Sequence, residues 1–348
     1  MRQAQLIAPR ELVLREVPIP EPHEGEVLVR IRVALTCGTD LKTYRRGHAK
    51  LPFGPFGHEG AGDVVAVGAG VSHLQVGQAI TWLPTAPCGE CPLCQRGRPN
   101  LCRRLFESVV LGTYADYLLI NARVARQHVF PLEGLDYRRA AFTEPLACVL
   151  HAWRVLEPLP GKQVCIIGTG AMGYLHLMEA CRRGCRVLML GRRPERLALA
   201  QQLGADATLQ IDPYRTDLSN PSDRQALIQA VQAETGGGAD VVIEATGARA
   251  IWELAPQLCA PGGKVLFYSG LTKGEMVCFE AERLHYEEMT LLGSFHYTTL
   301  DAYEALRRLH EPSFPIEQLI TDTRSLDEIV QVFQALEQGM GLKVAIVP

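Results

Sequence analysis

Val164-Cys165-Ile166-Ile167-Gly168-Thr169-Gly170-Ala171-Met172-Gly173 is the stretch from which the rest of the chain is read. Four apolar residues without alternation suit a parallel strand covered on both faces, and the glycines at 168, 170 and 173 follow the spacing G-x-G-x-x-G. The first glycine permits a tight turn, the second lets a pyrophosphate approach the backbone, and the third lets the next helix pack closely on the strand. A helix over 174–183 would aim its free N–H groups and positive dipole end at that pyrophosphate. Glycine-rich turns are common, but the strand before, the helix after and a second apolar strand at 187–190 favour a dinucleotide site over a plain strand-to-helix turn.

Outward from this turn, strands near 164–167, 187–190, 207–210, 240–244, 264–268 and 289–293 alternate with helices whose ends are readable. Pro194 opens one helix and Gly204 follows it; Gly236 and Gly237 stop another, and Pro261-Gly262-Gly263 ends a third. Six such strands predict an α/β, doubly wound parallel sheet over 149–292. Helices over 300–310 and 326–338 follow, the second opened by a Ser325–Glu328 capping box, and then a strand over 343–347. The 293–348 segment is too small to fold alone and is expected to pack back on the first domain, 1–148. That domain opens in short strands, including 27–33, and continues with strand character at 64–68, 77–82 and 112–120; a helix over 137–147 carries Glu144-Pro145.

A length of 348 residues fits two domains. Hydrophobic content of 47% with 21% charged residues describes a well-packed globular protein. The net charge of −3 offers no basic field to nucleic acid. No apolar run approaches the ~18 residues of a membrane span, and residues 1–10 lack a signal-peptide core. A cytoplasmic enzyme without nucleic-acid or membrane partners is expected.

Of eleven cysteines, four form Cys88-x2-Cys91-x2-Cys94-x7-Cys102 in a lobe at 85–104 that also carries Gly89, Pro92, Gly97 and Pro99. That spacing in a reducing compartment points to a closed tetrahedral thiolate site, a structural zinc. An iron–sulfur motif would bring its fourth cysteine after three residues and follow it with proline. Cys148, Cys165, Cys181, Cys185, Cys259 and Cys278 read as small hydrophobes. Cys37, with His58-Glu59 about twenty residues on, is a plausible second zinc ligand set, although either residue alone would read as a buried thiol or a loop histidine.

Taken together, Cys37-Gly38-Thr39-Asp40, Gly57-His58-Glu59-Gly60, the four-cysteine lobe, Glu144-Pro145, the Gly168 turn and Glu244-Ala245-Thr246-Gly247 resemble the zinc-containing medium-chain dehydrogenase/reductase family, in its order and over essentially the whole chain. The chain is most similar to the polyol and threonine dehydrogenase branch, because Glu144 stands where classical alcohol dehydrogenases have a cysteine ligand. The resemblance implies a GroES-like β-barrel catalytic domain beside a Rossmann domain. It implies catalytic zinc on Cys37 and His58, with Glu59 and Glu144 as direct, exchanging or water-linked ligands, in addition to the structural zinc. It also implies hydride transfer between a nicotinamide cofactor and a secondary alcohol or ketone, with a simple alcohol or aldehyde as the alternative substrate, in a homo-oligomer, dimer or tetramer. By the glycine motif and the resemblance, cofactor contacts are expected on Gly168, Gly170, Ala171, Met172, Gly173, Gly191, Arg192, Arg193, Arg196, Thr246, Ser269, Ser294 and Phe295.

Thr39 occupies the family's proton-relay position, against the alternative of a turn-capping threonine. Where relatives often carry histidine three residues later this chain has Lys42, which leaves His48 as a candidate exit group. Thr81 stands where threonine dehydrogenases have histidine, so threonine is a poor substrate. Tyr44, Phe53, Phe56, Phe106, Phe295 and His296 are candidates for the substrate pocket or, equally, for the core.

Two rival classes are a sensor that kept the nucleotide fold without chemistry, and a nucleic-acid-binding zinc ribbon. The complete ligand set opposes the first. Mixed charges around the lobe, Glu90 and Glu107 among Arg96, Arg98, Arg103 and Arg104, oppose the second.

Cofactor choice is read from Val187-Leu188-Met189-Leu190-Gly191-Arg192-Arg193. An NAD-selective site ends this strand with Asp or Glu on the ribose hydroxyls. Here that position is Gly191, and Arg192, Arg193 and Arg196 offer guanidinium forks to a 2′-phosphate, predicting NADP(H) over NAD(H).

Overall fold

Val164, Cys165, Ile166 and Ile167 are at most 1% exposed, so strand Gln163–Ile167 needs cover on both faces and neighbours on both edges. It has both neighbours in a computed structural model that describes residues 1–157, 160–211 and 218–348. The described chain divides into two contact units, Met1–Cys148 with His296–Pro348, and Val149–Phe295.

The second unit holds a six-stranded sheet in the order Ala207–Gln210, Arg186–Gly191, Gln163–Ile167, Ala239–Glu244, Cys259–Phe267, Thr290–Gly293, parallel at every pairing. Strand order reverses between Gln163–Ile167 and Ala239–Glu244, as in a doubly wound nucleotide-binding sheet. Helix ends follow local chemistry. Pro194 occupies the first turn of Pro194–Gln202, and the Asn220 side chain caps Pro221–Thr235 by accepting from the Ser222 amide at 2.9 Å.

Two expectations need correction here. The helix after the glycine turn begins at Ala171, three residues early. Pro261-Gly262-Gly263 does not end a helix; helical turns stop at Leu258, and the three residues lie within Cys259–Phe267. The pairing jumps there from Ala239↔Cys259 to Val241↔Lys264, so the run is a bulge in a strand.

In the first unit a seven-stranded sheet follows the path Ile320–Ser325, Lys343–Val347, Val27–Leu35, Glu59–Val67, Ala79–Trp82, Val129–Pro131, and Tyr117–Ile120 pairs with Val27–Leu35 off this path. Only the first pairing is parallel. A smaller sheet joins Glu11–Glu16, Arg2–Ala8 and Gly54–Pro55. Strand Ile320–Ser325 was not anticipated, since five of its six residues are exposed and show no apolar alternation. The expected helix over 137–147 is two helices, Tyr137–Ala140 and Thr143–Leu156.

The Ser325–Glu328 capping box is present and leads into Ile329–Glu337. That helix buries Ile329, Val332, Phe333 and Leu336 in the first unit's core. Phe333 lies 5.4 Å from Tyr44, 5.2 Å from Phe56 and 5.7 Å from Tyr114, ring centre to ring centre. Tyr44 and Phe56, at 3% and 5% exposure, are therefore core residues and not pocket lining.

Candidate metal centres and cofactor site

Antiparallel pairing sets Glu59 opposite Leu35, and the chain beyond Leu35 turns at once into helix Gly38–Arg46, capped by Cys37. The Cys37 Sγ accepts from the Thr39 amide at 3.4 Å, a position in which a helix N-terminus favours thiolate. One donor atom each from Cys37, His58 and Glu59 lies within 4.8 Å of the others.

A buried network orients this group. His58 Nδ1 is 2.8 Å from Asp40 Oδ1, and Tyr114 Oη is 2.6 Å from Asp40 Oδ2, so the other His58 nitrogen, Nε2, remains for a metal. Burial opposes a charge on His58, but Asp40 and Cys37 outweigh it and hold the imidazole well above its usual range. Burial pushes Glu59 up to about 7 against the pull of Lys343 and His58, and lifts the Cys37 thiol, with Glu59 adding to the effect. Glu59 is fully buried, and its Oε1 has no hydrogen-bond partner among the described residues. An orphaned carboxylate oxygen on a residue grouped with a thiol and an imidazole fits a divalent cation of zinc character.

Glu144, near the start of Thr143–Leu156, is 9% exposed and stands outside the 4.8 Å group, although its charge reaches Glu59. Cys148, one helical turn on, donates its S–H to Glu144 Oε1 at 3.6 Å. Thr39 and Lys42 are exposed. His48 is exposed as well, and its Nδ1 accepts from the Lys50 amide at 3.2 Å. His296 departs from the aromatic set: its backbone is left-handed at φ 65°, and its Nε2 meets Thr85 Oγ1 at 2.6 Å.

Cys88, Cys91, Cys94 and Cys102 form the second group, with Sγ pairs at 3.5, 3.6 and 3.9 Å. A tetrahedron with ~2.3 Å zinc–sulfur bonds has edges of ~3.8 Å, so the four thiols are spaced for zinc. Amides of Cys94 and Arg103 draw Cys91 down to about 6, while burial pushes Cys94 up to about 12.

The three glycines of the nucleotide turn divide their tasks as their surroundings require. Gly168 has φ 121°. A Cβ on Gly173 would stand 1.9 Å from the Gly168 oxygen, whereas one on Gly170, the residue capping Ala171–Arg182, would meet nothing within 4 Å. A space that a Cβ would fill at a helix N-terminus is where a phosphate approaches backbone amides. Ala171 and Met172 continue that first turn half-buried.

Gly191 ends its strand against Thr169. Arg192 is exposed, Arg193 caps Pro194–Gln202, and Arg196 donates to the Thr169 carbonyl at 3.2 Å. Burial and then Arg193 hold Arg196 below the usual guanidinium range, the sign expected where cations crowd. Fully buried Glu244 accepts from the Thr246 and Gly247 amides at 2.7 and 2.9 Å and from the Thr246 hydroxyl. The Ser269 carbonyl accepts from Trp252 Nε1 at 3.0 Å; Ser294 is half-buried, and Phe295 is 45% exposed.

Three residues of this network, Asp40, Tyr114 and Lys343, are given no role by any motif in the sequence. Asp40 lay in view three residues after Cys37, at helical spacing. Tyr114 and Lys343 carried only the weaker signal of a polar group within a buried apolar run.

Residues 23–132 match the alcohol dehydrogenase GroES-like domain, and residues 167–311 match the zinc-binding dehydrogenase domain. The chain is 32% identical to D-arabitol-phosphate dehydrogenase of Enterococcus avium, over 97% of this chain and 94% of that one. It belongs to the zinc-containing medium-chain dehydrogenase/reductase family. Another member, sorbitol dehydrogenase of Halalkalibacterium halodurans, is 30% identical over 96% of this chain and 95% of its own. A zinc-binding dehydrogenase structure from Sinorhizobium meliloti 1021, bound to NADP, superposes with a TM-score of 0.86 at 31% identity, covering 100% of this chain and 99% of that one. As a family member the chain is an alcohol dehydrogenase that uses zinc and a nicotinamide cofactor. Among the described residues no helix is long and apolar enough to cross a membrane.

Proposed function

We propose that this dehydrogenase transfers hydride between NADP(H) and a secondary alcohol or ketone of a polyol or sugar-like substrate. In this reading Cys37, His58 and Glu59 hold catalytic zinc, Glu144 is a direct or water-linked ligand, and the four lobe cysteines hold a second, structural zinc. The observation that carries it is the partly buried Cys37–His58–Glu59 group with its orphaned Glu59 oxygen. The polyol assignment rests on relatives named for D-arabitol phosphate and sorbitol.

When bound, zinc supplies Lewis acidity that makes an alcohol easier to deprotonate, and nicotinamide takes the hydride. Asp40 fixes the His58 ring and its proton, leaving Nε2 for the metal. Burial holds the Cys37 thiol protonated until a cation arrives, and the Thr39 amide donates to the sulfur that would then bind the metal as thiolate. Exposed Thr39, two residues on, passes the alcohol proton toward solvent. Gly170 lets pyrophosphate reach the first helical amides, and Arg192, Arg193 and Arg196 hold the 2′-phosphate. Thr246, Ser269, Ser294 and Phe295 complete the cofactor set.

A homo-oligomer is favoured by Thr290–Gly293, an edge strand with no outer partner among the described residues, and by the exposure of the large apolar side chains of Met276 and Tyr286. Eleven free cysteines suit the cytoplasm. The test is a panel of polyols, sugars and simple secondary alcohols with both nicotinamide cofactors, alongside metal analysis. Polyol turnover with NADP and two zincs per chain is expected. A single zinc without turnover would favour a sensor.

A further inference from the structure

Lys343 is 2% exposed, an unusual place for an ammonium group. It opens strand Lys343–Val347, whose Ala345 and Ile346 pair with Leu35 and Ala34, and Leu35 pairs in turn with Glu59. Three strands therefore bring together a lysine and a glutamate 284 residues apart. The ammonium donates to Glu59 Oε2 and, at 3.0 Å, to the Thr36 carbonyl, and it sits 5.6 Å from the centre of the Phe142 ring. The backbone around it is tied on both sides: Val344 N–H donates to Thr36 Oγ1 at 2.8 Å, and Thr36 N–H to the Val344 carbonyl at 3.1 Å. These ties hold the Lys343 backbone beside Thr36, and its burial leaves the ammonium no solvent to turn to.

Glu59 thus has one oxygen on the Lys343 ammonium and the other, Oε1, with no hydrogen-bond partner among the described residues, and a carboxylate oxygen of Glu59 lies within 4.8 Å of donor atoms of Cys37 and His58. A buried carboxylate needs one compensating cation, and here two compete for it. We infer that Lys343 is a positioning residue that competes with the catalytic metal for Glu59, keeping this carboxylate a weak, exchangeable ligand and one metal position open for substrate. The inference rests on the metal-site reading above.

Linkage sets the sign of the effect. With Lys343 present, Glu59 is compensated in the metal-free and the metal-bound protein alike. Without it, Glu59 in the metal-free protein keeps only the neighbouring His58 imidazole, which must itself give up its proton to bind metal, so the metal-free protein is destabilised and metal binds more tightly.

The experiment is a cycle of wild type, K343M, E59Q and E59Q/K343M, with K343R as the charge-preserving control. Zinc affinity is measured by chelator competition, the coordination by the visible spectrum of cobalt-loaded protein, and stability by melting with and without zinc. Wild type should hold two zincs, one of them lost in C37A; if C37A loses none, the metal-site reading itself fails before the cycle begins. Given that site, K343M should bind its zinc about tenfold more tightly or better, with a larger zinc-induced rise in Tm and an altered cobalt spectrum, while the lobe zinc is unchanged. K343R should resemble wild type. The gain should shrink in the E59Q background, which separates competition for the carboxylate from plain repulsion between lysine and metal. Should K343M not fold, E59Q/K343M, which keeps no buried charge from the pair, is read instead: zinc binding within about tenfold of wild type supports the inference, and loss as complete as in C37A overturns it. Unchanged or weaker zinc binding in folded K343M, with an unchanged cobalt spectrum, also overturns it.

Discussion

His58 and Asp40 face each other at 2.8 Å, both buried, with Tyr114 closing on the far oxygen of Asp40 at 2.6 Å. The pair orients the imidazole before any metal arrives. Replacing Asp40 by Asn keeps the volume and removes the charge, so zinc affinity and kcat/KM should each fall by about 10- to 100-fold. Chelator competition and steady-state rates on one sample check this; unchanged zinc affinity would show that the carboxylate does not orient His58.

Cys91→Ser or Cys94→Ser should remove one zinc per chain and lower Tm or disrupt assembly while the Cys37 zinc remains. The lobe at 85–104 carries little apolar core, so under the two-zinc proposal its fold would depend on the ion. Metal analysis combined with thermal unfolding reads both effects, and an unchanged Tm and subunit state would count against a structural role.

Gly170→Ala and Gly173→Ala should part company. A Cβ at 173 collides with the Gly168 carbonyl, so that variant should lose stability outright, by several kcal/mol on the order of other overpacked sites. A Cβ at 170 meets only the space where a phosphate would sit, so that variant should melt normally yet lose NADP(H) affinity. Thermal melts and cofactor titration separate the two, and normal cofactor binding by Gly170→Ala would refute the proposed phosphate position.

Arg192→Ala should shrink the ratio of kcat/KM with NADP to that with NAD by about tenfold or more, since a charge-assisted contact contributes about 1.5 to 3 kcal/mol. An unchanged ratio, or a wild-type enzyme that prefers NAD, would remove the arginines from cofactor selection.

His176 provides a pH test away from the chemistry. It is fully buried, its Nδ1 accepts from Trp153 Nε1 at 3.0 Å, and burial drives it down to about 3. The unfolded chain, with an imidazole near ~6.5, binds the extra proton first, so this contribution is complete above that value and is lost as pH falls toward 3. Stability should drop by up to about 1.4 kcal/mol per pH unit across that window, and His176→Asn should flatten the slope. Denaturant titrations at pH 6, 5 and 4 would sink this if both slopes match.

Reading the chain without coordinates succeeds where chemistry is local. The Gly168 turn and the four-cysteine spacing work through near neighbours, and both are visible as text. It fails where distant segments decide. Tyr44 and Phe56 resemble pocket aromatics until Phe333 fills the space between them, and Lys343 resembles an ordinary strand residue until pairing sets it beside Glu59. Pro261-Gly262-Gly263 carries the composition of a helix stop but serves as a bulge, because the neighbouring strand fixes its register on both sides. Glu144 is read from the sequence as a direct, exchanging or water-linked ligand, and its donor atoms are not among those within 4.8 Å in the Cys37–His58–Glu59 group.

The placement of Lys343–Val347 between Ile320–Ser325 and Val27–Leu35 has a consequence for biosynthesis. Ribosomes deliver residues 1–148 first, yet the sheet they belong to lacks an interior strand until residues 343–347 emerge. The nucleotide-binding unit, continuous from Val149 to Phe295, can close while the N-terminal segment is still waiting. During that interval Val27–Leu35 exposes an unpaired edge around Ala34 and Leu35, which makes a stalled or truncated nascent chain a ready template for aggregation.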